Sequence, residues 1–426
     1  MTKLNIYCDK NEVGFLEFNT DNEEFSFEYT DCWEKNGFEL SPFMKFGTNI
    51  PSKVIRNFIE NLLPEGKGRE VLSSFHHISK SNIFALIHII GKETTGALTF
   101  SIESRFSETS FREVPKSELA QRIRERKSIP IELWDGNARL SVAGVQDKLP
   151  ITIIDGKFGF GEGDLASTHI LKFEKETDNI VLNEFLSLKL ASIVGLEVPN
   201  IEIIKLEDQE VLLVERFDRK NINDEKILRK HIIDGCQALN LSVSHKYERA
   251  FGSGNMKDYR EGVTFKKIFS LIDKCSSPIL TKKSLITWIC VNLCLGNSDA
   301  HGKNISFKIE KDKMSLTPFY DIVNINIYKG KYDTDFAMGI DDSFNYDELG
   351  SFDIIEFCKS LNINLKGFVK EFNTVSTEIK SSLNDDILVG FVSEANIDFY
   401  EKYRRDINSR IKKLSDVINY CLEYKS

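Results

Sequence analysis

No stretch of the 426-residue chain is apolar for the roughly 20 residues a membrane-spanning helix needs. The longest apolar runs are IFALIHII at 83–90 and the interrupted LITWICVNLCL at 285–295. The N-terminus, MTKLNIYCDKNEVG, lacks the basic head and apolar stretch of a secretory signal, so a soluble, cytoplasmic protein is expected, with no membrane partner. The eight cysteines contain no CxxC pair. Cys290 and Cys294 share a helical face, but two thiols are too few for a structural zinc site, and buried small hydrophobes are expected there. Positive charge is not in excess either: 56 Lys+Arg stand against 65 Asp+Glu, a formal net charge of −9. Such a chain is a poor candidate for binding nucleic acid through bulk charge. A basic cluster runs from Arg122 to Lys127, and a solvated helix face is a better reading of it than a nucleic-acid contact. Internal repeats and low-complexity tracts are absent.

What is present supports a large core, since 41% of residues are hydrophobic and 11% aromatic, and the length suits two or three domains. Alternation in EEFSFEY sets Phe25, Phe27 and Tyr29 on one face of a strand, paired through the turn NTDN with VGFLEF. Helical periodicity follows in VIRNFIENLL and SNIFALIHII, then a strand in GALTFSIE. ELAQRIRER predicts a helix. Beyond Pro130 come strands at KLPITII, KFGFG, STHILKF, NIEIIKL and EVLLVERF, with a helix at NIVLNEFLSLKLASIVG. From about 260 the chain reads as mostly helical, interrupted by the strand-like ISFKI and MSLTPF. The expectation is α+β: an N-terminal α+β subdomain (1–105), a strand-rich lobe (106–240) and a helical lobe (241–426).

The chemistry concentrates in GNSDAHGKNISF, residues 296–307, directly after the apolar helix. Asp299 lies five positions before Asn304, the spacing of the protein-kinase catalytic loop, where Asp accepts the proton of the attacking hydroxyl and Asn holds magnesium. Asp321, in PFYDIVN, is placed to chelate magnesium, and Lys303 to neutralise charge on the transferred phosphoryl group. Read alone, GNSDAHGKN is better taken as a plain turn. Other phosphotransferase parts stand in workable order. Lys172 on STHILKF suits a phosphate contact, or else a snorkelling edge-strand lysine. Glu215–Phe217 in VERFDR suit an adenine hinge. LSVAGVQDKLP at 140–150 is not a Walker loop, though its small residues permit a tight backbone offering N–H groups to phosphate.

Together SVAGVQDKLP, THILKF, VERFDR, HGKN and FYD resemble the HipA family of bacterial serine/threonine kinases, the toxins of type II toxin–antitoxin pairs. NLLPEGKGRE at 61–70 and GKETTGALTF at 91–100 extend the resemblance to the N-terminal unit. It implies a two-lobed kinase-like fold and an enzyme that uses ATP and Mg2+. Position by position, it implies that Ala143, Gly144, Val145, Gln146, Asp147 and Lys148 form the nucleotide loop and Lys172 is the ATP-binding lysine. Glu215, Arg216 and Phe217 become the adenine hinge and Asp299 the catalytic base. His301, Gly302, Lys303 and Asn304 complete the catalytic loop, with Tyr320 and Asp321 as the magnesium-binding segment. Ser141 matches the serine whose autophosphorylation ejects the nucleotide loop, and added negative charge there opposes ATP binding.

The implied partners are a small helix-turn-helix antitoxin (HipB-like), DNA only indirectly through it, and a protein substrate such as an aminoacyl-tRNA synthetase. The chain departs from the family's His-x-Glu-Asp pattern at His231, Ile232, Ile233 and Asp234, where the acidic residue at 233 is missing. Glu184 is either a kinase-type partner of Lys172 or a surface glutamate. Two other readings stay open: a small-molecule phosphotransferase, and a regulatory binding module that acts with an antitoxin.

Overall fold

The computed structural model describes residues 2–102, 108–139, 147–174, 178–252, 256 and 258–423. It divides into two units. Unit 1 comprises Met1–Lys175, Pro199–Val243 and Phe307–Met314; unit 2 comprises Glu176–Val198, Ser244–Ser306 and Ser315–Ser426. Residues expected in the N-terminal subdomain and most of the strand-rich lobe thus fall in unit 1.

Unit 1 begins with β1 (Thr2–Cys8), β2 (Asn11–Asn19) and β3 (Glu24–Tyr29), which join β4 (Leu98–Ser101) in an antiparallel sheet of order β3-β2-β1-β4. The alternation in β3 is as expected, with Phe25, Phe27 and Tyr29 buried and Glu24, Ser26 and Glu28 exposed. Between β3 and β4 lie α1 (Asp31–Asn36), α2 (Ser52–Glu60), α3 (Gly66–Phe75) and α4 (Ile83–Ile90). Asn82 starts α4 by accepting the Ala85 N–H at 3.0 Å. The sequence gives no warning of α3, because GKGREVLSSF carries two glycines and buries only Leu72.

A second sheet is built from β5 (Ser110–Glu113), β8 (Lys148–Ile154), β9 (Lys157–Glu162), β10 (His169–Phe173), β11 (Ile201–Leu206) and β12 (Gln209–Glu215). Its order is β11-β12-β10-β8-β9-β5, antiparallel throughout. α5 (Lys116–Glu125) and the two-residue strands β6 (Leu133–Trp134) and β7 (Asn137–Ala138) precede β8, while α6 (Ile180–Ile193), between β10 and β11, belongs to unit 2. Leu149, Ile151, Phe158, Phe160, Leu171 and Phe173 pack with Leu119, Ala120 and Ile123 of α5 on one face. The period of two therefore turns Lys148 and Lys172 to the other face. The arginines of the basic cluster serve their own unit: Arg122 donates to the Pro130 and Leu133 carbonyls, Arg126 to those of Ile123 and Glu174, and Arg124 pairs with Glu207 and Asp208. The chain continues through the hairpin β13 (Arg219–Asn223) and β14 (Lys226–Arg229), then β15 (Ile232–Asp234) beside β16 (Ser306–Glu310) and β17 (Lys313–Leu316).

A buried ion cluster holds these parts of unit 1 together. Arg216 is bidentate to Asp218, at 2.9 and 2.8 Å, and Arg219 donates to Asp218 at 2.7 Å and to Glu93 at 2.9 Å. The Gly96 N–H donates to Asp218 at 2.8 Å, and Arg229 approaches Glu93 at 3.5 Å. Gly96 has φ +79°, and a Cβ there would lie 2.9 Å from the Ile232 carbonyl oxygen, so the turn demands glycine. Burial by itself would raise the Glu93 carboxyl, but Arg229, Arg219 and Arg216 outweigh it and hold the group at about 2. Asp218 is likewise held well below its usual range, burial being outweighed by Arg216 and Arg219.

Unit 2 is organised around α9 (Pro278–Leu295), which follows the short α7 (Gly235–Ala238, in unit 1) and α8 (Phe265–Phe269). α9 contacts α6, α11 (Leu365–Leu383) and α13 (Ile397–Tyr420), and α10 (Ser351–Ser360) and α12 (Asp386–Val389) complete the set. Among the described residues, α9 alone is long and apolar enough to cross a membrane, yet it reads as a core helix: Trp288, Ile289, Cys290, Val291, Leu293, Cys294 and Leu295 are all buried. Cys290 and Cys294 are fully enclosed, as expected, and burial pushes both thiols up.

Acid should weaken the fold in two stages. His231 is buried and lowered to about 4 from 6.5, so the unfolded chain binds its proton first and stability falls as pH drops from about 6.5 to 4. Glu93, at about 2 against 4.5, adds a loss that begins near pH 4.5 and continues towards 2. Denaturant midpoints measured between pH 7 and 3 should show both slopes, and Glu93→Gln should flatten the second. At neutral pH Asp218→Asn should cost about 3–5 kcal/mol by leaving buried arginine charge uncompensated; an unchanged midpoint would refute the clamp.

Candidate active site

The apolar helix α9 ends at Gly296, whose φ of 78° lets both Gly296 and Asn297 return their N–H groups to the Asn292 carbonyl, each at 3.0 Å. A Cβ at Gly296 would lie 2.5 Å from the Arg410 guanidinium. The chain so turned carries Asp299, His301, Gly302, Lys303 and Asn304 in one short loop. His301 donates its N–H to the Asp299 carbonyl at 2.8 Å, and Asn304 Nδ2 donates to the same oxygen at 2.8 Å. Asn304 N–H returns to the His301 carbonyl at 2.9 Å. His301 Nδ1 accepts the Lys303 N–H at 3.3 Å, leaving Nε2 as the ring's donor when the imidazole is neutral. His301, Lys303 and Asn304 are buried, while Asp299 is partly open.

The segment before Asp321 is tied to this loop. The Tyr320 hydroxyl donates to the Lys303 carbonyl at 2.8 Å and meets Ser306 Oγ at 2.6 Å. Asp321 sits at φ 53°, a left-handed backbone that Asp tolerates better than most residues. Three residues on, fully buried Asn324 exchanges two hydrogen bonds with Asn183 of α6, its N–H to Asn183 Oδ1 at 2.9 Å and Asn183 Nδ2 to its carbonyl at 3.0 Å. Asn324 Nδ2 also reaches Asp406 of α13 at 2.7 Å, and the next two N–H groups return to the Gly296 carbonyl. The amides of Asn183 and Asn324, with the backbone that follows, thus anchor the Asp321 segment to α6, α13 and the end of α9. Sequence reasoning passed over both asparagines, whose partners lie 141 positions apart.

The chemistry of these donors suits magnesium. Asn304 spends its amide nitrogen on the Asp299 carbonyl, so the atom it would offer a metal is its amide oxygen, and magnesium takes oxygen ligands from one or two side chains plus phosphate. Among the described residues no cluster of three or more His, Cys, Asp or Glu forms a protein-only metal cage. A site completed by phosphate does not need one.

In unit 1, Lys172 stands directly opposite Lys148 across the β10–β8 pair, and both are buried. Residues directly opposite one another across an antiparallel pair share one face of the sheet, so the two ammonium groups stand on the same side of it. Asp147 turns elsewhere: its carboxylate meets Lys67 of α3 at 3.2 Å and its carbonyl accepts the Phe173 N–H. In the hinge, the Glu215 N–H goes to the Asn200 carbonyl and the Arg216 N–H to the Thr168 carbonyl, so both are spent within unit 1. The Arg216 side chain belongs to the ion cluster. Ser141, Ala143, Gly144, Val145 and Gln146 lie outside the described residues.

Glu184 is 1% exposed, which removes the surface reading of that residue. His231 donates from Nε2 to the Leu40 carbonyl at 2.9 Å and stacks on Phe38, while Asp234 caps α7 through the Gln237 N–H at 2.8 Å. The His-x-x-Asp stretch therefore has structural work. A further residue that the sequence did not single out is Tyr247, whose hydroxyl donates to Asp299 Oδ1 at 2.7 Å.

Residues 4–101 match the HipA N-terminal domain, and residues 140–384 match the HipA-like C-terminal domain. The serine/threonine-protein kinase toxin HipA of Shewanella oneidensis is 39% identical over 405 residues, which span 94% of this chain and 93% of the relative. Among solved structures, the Shewanella oneidensis MR-1 toxin–antitoxin complex of HipA, HipB and operator DNA aligns with a TM-score of 0.91 at 37% identity, over 99% of this chain and 100% of that one.

Replacing Asn183 by Ala should strand the Asn324 backbone groups and destabilise the protein by about 3 kcal/mol or more, the two bonds to Asn324 alone being worth roughly 1–3 kcal/mol each. Denaturant melts check this, and a midpoint equal to the parent's would show that the asparagine pair does not anchor the Asp321 segment.

Proposed function

The chain belongs to the HipA family, and from that premise we propose that it is an ATP- and magnesium-dependent protein serine/threonine kinase acting as the growth-inhibiting toxin of a toxin–antitoxin pair. Asp299 accepts the proton of the attacking hydroxyl as its oxygen bonds the γ-phosphorus and the bridging bond to the β-phosphate breaks, releasing ADP. Magnesium, when bound, neutralises charge on the phosphate oxygens; Asn304 and Asp321 would hold it. Lys303 balances charge on the transferred group. Lys148, Lys172 and the 143–147 loop hold the phosphates, Glu215–Phe217 the adenine, and His301 and Gly302 shape the loop that Tyr320 buttresses.

The observation that carries this reading is the Asn304 side chain bonded back to the carbonyl of Asp299. It makes base and metal ligand one rigid piece. Phosphoryl transfer leaves little covalent work to the protein, so fixed position and charge neutralisation supply the rate.

Ser141 is the proposed site of inactivating autophosphorylation, and residues 1–105 the subdomain added to the two kinase lobes. The HipB in the Shewanella complex leads us to propose a HipB-like helix-turn-helix antitoxin as partner. That partner would read the operator, in keeping with the acidic balance of this chain. The acceptor protein we place in the cytoplasm, in the class of aminoacyl-tRNA synthetases.

Mass spectrometry after incubation with ATP and magnesium tests the reading. The parent, dephosphorylated beforehand, should gain one phosphate at Ser141, whereas Asp299→Asn should be slower by at least about a hundredfold. Lys172→Met should raise the KM for ATP by about tenfold or more, the loss of one charged contact. An Asp299→Asn protein as fast as the parent would overturn the assignment of the base.

A further inference from the structure

Tyr247 lies 52 positions before Asp299, yet its hydroxyl makes the side-chain hydrogen bond that the Asp299 carboxylate accepts, at 2.7 Å. Its ring meets His301 edge to face, with centroids 5.1 Å apart, and the residue is 37% exposed. A carboxylate that must take a proton from a passing hydroxyl loses rate if it rotates about its own side-chain bonds. The remaining catalytic-loop bonds, from Asn304 Nδ2 and the His301 N–H, go to the Asp299 main chain and leave that rotation unrestrained.

The mount of Tyr247 is rigid on both sides. The Gly302 N–H of the catalytic loop donates to the Lys246 carbonyl at 2.9 Å, and the Val263 N–H to the His245 carbonyl at 2.9 Å. Glu248 donates its N–H to the Ala337 carbonyl at 2.8 Å, while its buried carboxylate accepts the Gly339 N–H at 2.8 Å and meets Arg260. Ala337 in turn donates to the Ser298 carbonyl, next to Asp299. At Gly262 a Cβ would stand 1.7 Å from the Tyr247 carbonyl oxygen, so the two backbones pass in contact. A gate that swings away from the base would not be bonded to the loop it guards.

Resting on the reading of Asp299 as the base, we propose that Tyr247 is a positioning residue for phosphoryl transfer: its hydroxyl occupies Oδ1 and aims Oδ2 at the acceptor hydroxyl. The signal is a fall in kcat with ATP binding untouched. Tyr247→Phe keeps the ring against His301 and removes only the donor; Tyr247→Leu removes both. Both variants should lose kcat by a similar factor, about tenfold, with the KM for ATP and the melting temperature of Tyr247→Phe equal to the parent's.

Asp299→Asn, run in parallel, separates the two readings. If it keeps full activity, the base assignment fails, whatever Tyr247 does. With Asp299→Asn dead, a Tyr247→Phe protein as fast as the parent overturns the positioning role. A faster one shows that the hydroxyl blocks the base, and a drop in both ATP affinity and melting temperature shows a packing role only. Each of these outcomes defeats the proposal.

Discussion

Two carboxylates set among three arginines decide how unit 1 is joined. Glu93 follows α4 of the N-terminal strands and helices, and Arg216, Asp218 and Arg219 follow β12 of the second sheet, so the cluster fastens one sheet's connections to the other's. Burying so many charges gains little net stability over an apolar contact of the same shape. Its strength is specificity. Each guanidinium has a fixed fork, and the acids that match it stand in one place, so the segment after β12 cannot slide. That segment is also where the adenine hinge is proposed, and its backbone inherits the order that the side chains impose.

Unit 2 solves the same problem mostly with neutral groups. The end of α9, the Asp321 segment, α6 and α13 meet on the amides of Asn183 and Asn324, with Gly296 supplying a carbonyl and a left-handed turn. A neutral amide offers donors and an acceptor in one plane without adding charge. Beside carboxylates meant for a proton and a cation, that neutrality matters: another fixed charge there would change the field in which both operate.

How much of this could be read from the residues follows from the distance between partners. Faces set by a local period were legible: Phe25, Phe27 and Tyr29 on β3, Lys172 standing out from Leu171 and Phe173, and the spacing of Asp299 and Asn304. What fails is whatever depends on a partner far along the chain. Arg216 was read as part of a hinge because its neighbours form a strand, and nothing local says that Glu93 takes its side chain. Tyr247 lies in a stretch without periodicity, between β15 and α8, so no face assignment points it at Asp299. Ile233, where family members carry an acid, is explained only by its burial, with Asp234 spent on a helix cap.

The two ways of burying polar groups each stand beside groups proposed for chemistry. In unit 1 the cluster sets three arginines against two carboxylates, and Lys148 and Lys172 face each other on the sheet. In unit 2 the Arg410 guanidinium is matched by Asp406, and the groups proposed for chemistry are the oxygen donors Asp299, Asn304 and Asp321 together with the ammonium of Lys303. Phosphoryl transfer needs both kinds of group, cations for the phosphate chain and oxygens for the proton and the metal.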